Sequence, residues 1–219
     1  NPIASMITDA RVLTGGYLGE LDPRHVQKLE RLIQKGSYLL DLVREYLDLA
    51  RMEGGRLRLA ATESMLVEEV LEPALELVQP QIAERGMRVE RHYPERPEAL
   101  RCDPALLKIV TVNLLGNAVK YGREGGLIRL HYGHEPNLVR VAVWNEGPGF
   151  PPEERGRLFR KFSRLQSPEL ARIKGTGVGL YTSWRIVLLH GGRMDARSRP
   201  GEWAEFTFEL PQPLPEEGA

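Results

Sequence analysis

The strongest constraint on this chain is a long apolar stripe with alternating steps of three and four residues: Val26, Leu29, Ile33, Gly36, Leu40, Val43, Leu47 and Ala50. That spacing keeps one side of an α-helix apolar from end to end, and Leu32, Leu39 and Tyr46 widen it beyond a two-stranded seam. A shorter helix precedes it, marked by Ile3, Ile7 and Ala10 with Met6, Leu13 and Tyr17 beside them. The segment GGYLGELDP breaks that first helix. Asp22-Pro23 then has the chemistry of a helix start, Asp as N-cap and Pro at the first helical position. Gly54-Gly55 ends the second helix. Two such helices cannot bury this much apolar surface against each other. Either the hairpin packs on the rest of the chain, or two copies join in a four-helix bundle. The remainder reads as complete without it, so a homodimer through residues 1–53 is expected.

From about Arg56 the rhythm changes to alternating strands and helices. RLRLA, MRVERHY and ALRC read as strands. Residues 66–85 read as a helix with Val67, Val70, Leu71, Leu75, Val78 and Ile82 inward, although Pro73 and Pro80 should each kink or restart it. Asp103-Pro104 caps a helix running to about Tyr121. GLIRLHYG and LVRVAVWN form a strand pair across the turn HEPN. A long Gly- and Arg-rich stretch follows, then a helix over Thr176–His190 and two closing strands, GGRMDARS and WAEFTFEL. The tail PQPLPEEGA has the composition of a disordered segment. The expected class is α+β: a helical hairpin over residues 1–55, then an α/β domain over 56–213 with a mixed sheet covered by helices on one face, and a tail at 214–219.

Composition narrows the function. Lys and Arg total 30, as do Asp and Glu, so the formal charge is zero. A protein that holds nucleic acid or an anionic membrane by bulk charge is thereby disfavoured. The single cysteine, Cys102, excludes an internal disulfide framework and a cysteine-rich zinc site, and fits a reducing cytosol. No apolar run approaches the ~18 residues of a membrane span, so any anchor of a parent protein in the inner membrane lies outside this chain.

Three stretches carry chemistry. In VNLLGNAVKYG, Asn113, Asn117, Lys120 and Tyr121 fall at i, i+4, i+7 and i+8 and share one helical face, while Leu106, Ile109, Val110 and Leu114 supply the buried one. Amide oxygens can ligate Mg²⁺ and a lysine can meet phosphate, so the stripe suits a metal-bound polyphosphate, or it is simply a solvated helix face. In VWNEGPGF a strand ends at Asn145, whose amide can read an adenine edge, and Gly147 and Gly149 follow. In KGTGVGL, Gly175, Gly177 and Gly179 precede an apolar helix, where backbone N–H groups can bind phosphate.

Order and spacing together make the chain resemble the catalytic core of a sensor histidine kinase of two-component systems. NLLGNAVKYG resembles the family's asparagine box, NEGPGF and GTGVGL its two glycine boxes, and RLFRKFSRL, with Phe159 and Phe162, its phenylalanine box. The closing HGGRMDARSRPGEWAEFTFELP also matches. The resemblance covers residues 1–211. It implies the Bergerat-type ATP-binding α/β sandwich shared with gyrase and mismatch-repair ATPases. It further implies Asn117 as Mg²⁺ ligand supported by Asn113; Lys120, Tyr121 and the glycine amides on phosphates; Arg164 on the γ-phosphate; and residues 150–174 as a mobile ATP lid. One departure stands out: the family usually has Asp where this chain has Asn145. An Asn oxygen still accepts from the adenine amino group, with binding weakened by about 1 kcal/mol.

The superfamily's hydrolases carry a Glu four residues before the metal-binding Asn, to activate water. Asn113 stands there, which favours phosphoryl transfer over hydrolysis. None of the histidines His25, His92, His131, His134 and His190 has the setting of an acceptor. NPIASM matches the end of the family's acceptor motif, placing the substrate histidine four residues before Asn1. Asn1 then corresponds to the position that, in related kinases, helps place the water for dephosphorylating the partner, or it is a helix-start residue without chemistry. The expected activity is protein-histidine kinase, with onward transfer to an aspartate of a response-regulator receiver domain docked around His25–Gln34 and the first helix. The alternative is a degenerate kinase acting as nucleotide-dependent scaffold or response-regulator phosphatase.

Overall fold

The computed structural model describes residues 2–17, 19, 21–33, 35–37, 39, 59–135, 137–165 and 175–214. They belong to two units, Asn1–Arg56 and Leu57–Ala219. In the first, α1 spans Pro2–Thr14, and residues 23–33 and 35–37 form a second helix, α2. Gly16 and Gly19 take positive φ (75° and 113°) in the link. Asp22 caps α2 as its sequence implies, its carboxylate accepting from Arg24 N at 2.7 Å. The hairpin closes where a glycine permits it: a Cβ on Gly36 would stand 3.0 Å from Ile7 Cγ1. Ile7 is buried, whereas Met6, Tyr17, Leu32 and Leu39 are exposed. The stripe from Leu40 to Ala50, and Gly54-Gly55, lie outside the described residues.

In the second unit, residues 56–58 of the expected strand RLRLA lie outside the described residues, Leu59 and Ala60 belong to no strand, and the first strand, β1, is Thr62–Ser64. Residues Val67–Leu71 form a π-helical turn that passes into α3, Glu72–Glu84. The restart falls where Pro73 enters the first turn of α3, a position that tolerates a missing N–H. Pro80 is carried inside α3. Val70, Leu71, Ala74, Leu75, Val78 and Ile82 are buried, while Val67 is only half-buried. Next come β2 (Arg88–His92), β3 (Leu100–Cys102) and α4 (Pro104–Tyr121). Asp103 caps α4 by accepting from Leu106 N at 3.1 Å. The remaining elements are β4 (Leu127–Glu135), β5 (Leu138–Glu146), α5 (Gly179–Leu189), β6 (Arg193–Arg199) and β7 (Trp203–Pro211).

β1 and β3 pair antiparallel as a small separate sheet. The main sheet runs β2-β4-β5-β7-β6, parallel between β2 and β4 and antiparallel elsewhere, so it is mixed as expected. α4 lies between α3 and α5 and packs on β5, and α5 packs on β6 and β7. Because α4 has neighbours on several sides, its buried arc is wide: Leu106, Leu107, Val110, Thr111, Leu114, Leu115, Ala118 and Val119. Ile109, expected on that arc, is exposed.

The other face of the sheet carries a layer of charged and aromatic side chains. Arg129 donates to Glu90 at 2.8 Å, and its guanidinium stands 4.6 Å from the Trp144 ring centroid. Glu209 on β7 is held between Arg140 of β5 and Arg193 of β6. The two guanidinium groups overcome the effect of burial and keep its carboxyl below the usual range. Contrary to the expectation of disorder throughout PQPLPEEGA, Pro211 completes β7 and Gln212 N donates to Asn137 O at 2.9 Å, while residues 215–219 lie outside the described residues.

Candidate functional site

α4 presents Asn113, Asn117, Lys120 and Tyr121 along a half-buried stripe. Asn113 Nδ2 donates to Gly179 O at 3.4 Å and to Ser183 Oγ at 3.3 Å, so its amide nitrogen is turned toward the first turn of α5. Ser183, fully buried on α5, escaped the sequence reading; the available signal was the pair of adjacent hydroxyls, Thr182 and Ser183, within a mainly apolar helix. At the other end of the stripe, a Cβ on Gly175 would stand 2.6 Å from Lys120 Nζ and 3.3 Å from Tyr121 Oη. The glycine loop therefore rests directly on the cation and the phenol. Burial raises the Tyr121 pKa, and the Arg164 charge works in the opposite direction.

Asn145 is buried at the end of β5, and its Nδ2 donates to Glu146 O at 3.0 Å. With the amide oriented by that bond, Oδ1 is the acceptor it can offer an adenine amino group. Gly147 belongs to the join between β5 and α4: a Cβ there would stand 2.8 Å from Tyr121 O and 3.1 Å from Asn145 Nδ2. Gly149 has φ 61°, and a Cβ would meet Ser198 Oγ at 2.4 Å. Gly177 has φ 74° and leaves no room for a Cβ against Phe162 and Ser163, whereas a Cβ on Gly179 would stand 3.6 Å from Asn113 Oδ1, an ordinary contact. Gly147, Gly149 and Gly177 are thus demanded by close backbone approach within the protein, and Gly175 and Gly179 line the α4 stripe.

The expected lid begins on a packed root. Phe150 and Leu158 are buried with Ala196 and Ala204, and Phe159, Leu165, Leu180 and Phe206 pack around them. Phe150 N donates to Ser198 Oγ at 2.8 Å, and Arg155 pairs with Asp195. The two phenylalanines of RLFRKFSRL divide: Phe159 joins this cluster, while Phe162 is 62% exposed with φ 58°, a left-handed conformation rare for a non-glycine residue. Residues 166–174 of the expected lid, and Asn1, lie outside the described residues.

The oxygen donors of Asn113 and Asn117 suit a hard divalent cation that brings most of its ligands as phosphate oxygens and water. Among the described residues, no group of three His, Cys, Asp or Glu side chains could hold a metal by itself. No helix among them is long and apolar enough to cross a membrane.

Residues 102–214 match the family described as histidine kinase-, DNA gyrase B-, and HSP90-like ATPase. The chain is 32% identical over 200 residues to the non-motile and phage-resistance protein of Caulobacter vibrioides, covering 90% of this chain and 23% of that protein. It is 28% identical to the circadian input-output histidine kinase CikA of Synechococcus elongatus, covering 96% of this chain and 28% of the relative. The chain thus spans less than a third of either relative. Among solved structures it is similar to full-length ShkA in complex with AMPPNP, with TM-score 0.74, 26% identity, and coverage of 95% of this chain and 42% of that one.

Proposed function

The chain belongs to the histidine kinase-, DNA gyrase B- and HSP90-like ATPase family, and from that premise we propose that it is the ATP-dependent core of a protein-histidine kinase in a two-component system. The observation that carries this reading is the convergence of Lys120 Nζ and Tyr121 Oη on the Gly175 loop, at one end of a helix face that also bears Asn113 and Asn117. Asn145 Oδ1 accepts from the adenine amino group. Lys120, Tyr121, Arg164 and the backbone N–H groups around Gly175 and Gly177 bind and orient the phosphates. Asn117, supported by Asn113, holds Mg²⁺, which when bound neutralises charge on the phosphate oxygens.

Kinase is preferred to hydrolase because of Asn113. The position from which a carboxylate would activate water holds an amide, and its nitrogen is engaged with Gly179 O and Ser183 Oγ. The γ-phosphoryl group passes instead to an imidazole nitrogen: the N–P bond forms as the bond to the β,γ-bridging oxygen breaks, and ADP leaves. The acceptor is the histidine that the motif places four residues before Asn1, on a homodimeric bundle built from residues 1–53. An aspartate of a response-regulator receiver domain then takes the phosphoryl group, and Asn1 helps place the water that later removes it. The catalytic contribution of this chain is positioning and charge stabilisation.

Two measurements test this. Calorimetric titration should show ATP–Mg²⁺ binding that Asn117→Ala weakens at least about tenfold. With γ-labelled ATP, protein extended N-terminally through the acceptor motif should take up label, and the 219-residue chain should not. Stable labelling of the shorter chain overturns the acceptor assignment. ATP binding without labelling of the extended protein favours the nucleotide-dependent scaffold or phosphatase, which Asn145 makes the second reading.

A further inference from the structure

A helix leaves its last carbonyls without intrahelical partners. In α4 these lie beside the phosphate end of the site, and one side chain collects them. Arg85, the C-cap residue of α3, donates through Nη1 to Val119 O and, at 3.0 Å, to Lys120 O, and through Nη2 to Gly122 O at 3.0 Å. Its own carbonyl accepts from Gly125 N at 3.0 Å, which ties the same residue to the turn that follows α4. On another side the end of α4 meets Gly147, whose backbone comes so close to Tyr121 O that no Cβ fits. The last turn, carrying Lys120 and Tyr121, is therefore fixed from two directions.

We propose that Arg85 is a positioning residue for phosphate recognition: by holding the terminal carbonyls of α4 it sets the direction in which Lys120 Nζ and Tyr121 Oη are presented to the nucleotide. The proposal rests on the nucleotide reading of the site. The planar guanidinium fork is what allows one side chain to reach three carbonyls; a lysine ammonium is a point donor on a flexible stem. A cation at a helix C-terminus also opposes the negative end of the helix dipole. The bulk of α4 does not need this grip, since its N-terminus is capped by Asp103 and eight of its residues are buried. Losing Arg85 should loosen the last turn, whereas Asn145, which reads the base, is fixed on β5 by the pairing of that strand with β4 and β7.

The experiment compares ATP with adenosine by calorimetric titration of the full chain. Arg85→Gln should lose about tenfold in ATP affinity, the scale of charge-assisted hydrogen bonds, with adenosine affinity changed less than about twofold. Arg85→Lys should fall between Arg85→Gln and the parent for ATP and match the parent for adenosine. If Arg85→Gln fails to fold, Arg85→Lys decides on the same pair of ligands. An equal loss for ATP and adenosine makes Arg85 a general support of the fold and overturns the proposal. A parent chain that binds neither ligand removes the nucleotide site itself, a failure visible before any variant is measured.

Discussion

His190 shows how much one side chain can connect. It is buried at the end of α5; Nδ1 is 2.8 Å from Ile186 O, and Nε2 accepts from Asp103 N at 3.1 Å. The ring is therefore the neutral tautomer with its proton on Nδ1. Protonation would set a second N–H against the Asp103 N–H, and burial lowers the pKa from the ordinary 6.5. The folded state prefers the neutral ring, so the unfolded chain binds more protons once the pH falls below about 6.5. Stability held above that value is lost on acidification toward the lowered folded pKa. Urea unfolding at about pH 8 and about pH 5.5 should show a stability drop that His190→Gln reduces. An identical drop in the variant would refute this linkage. No local pattern announces the role, because the partner lies 87 residues away in sequence. The α4 stripe was legible for the opposite reason: its four side chains are brought together by helix geometry alone.

Among elements, α4 is the best specified. Asp103 accepts from Leu106 N through Oδ1 and from Ala60 N through Oδ2 at 3.0 Å, so one carboxylate starts the helix and pins the strand-leading segment before β1. Asp103→Ala should cost about 1–2 kcal/mol in thermal or urea unfolding, and Asp103→Asn less, because an amide oxygen still caps. Equal stability of all three proteins would show that the cap contributes nothing. The ends of α4 and the main-sheet strands were readable from caps, turns and alternation. Three features were not. The π-helical turn before α3 is a backbone adjustment that apolar periodicity does not encode. Ile109 faces outward because the burial of α4 depends on which neighbours flank it. The packed root of the expected lid depends on Ala196 and Ala204, supplied by β6 and β7. Composition read residues 150–165 as loop without revealing what they rest on.

At the scale of the whole molecule, the described part of the hairpin unit leaves Leu32 58% and Leu39 47% exposed, both on the widened stripe of the second helix. If residues 1–53 form the proposed dimer, the parent should scatter light as a dimer and the Leu32→Asp/Leu39→Asp variant as a monomer with unaltered ATP affinity. A monomeric parent at all concentrations would reject it. The second unit solves a different problem on the face of its sheet turned away from the helices. Alternation along β7 puts Ala204, Phe206, Phe208 and Leu210 toward the helices, so any slip by an odd number of residues drives Glu205 and Glu209 into the core. Alternation cannot detect a slip by two. Glu209 can, since Arg140 and Arg193 stand opposite it in register on both neighbouring strands, and an even slip separates it from both at once. Hydrophobicity thus acts as a parity check on β7, and the shared carboxylate supplies the address that parity leaves undetermined.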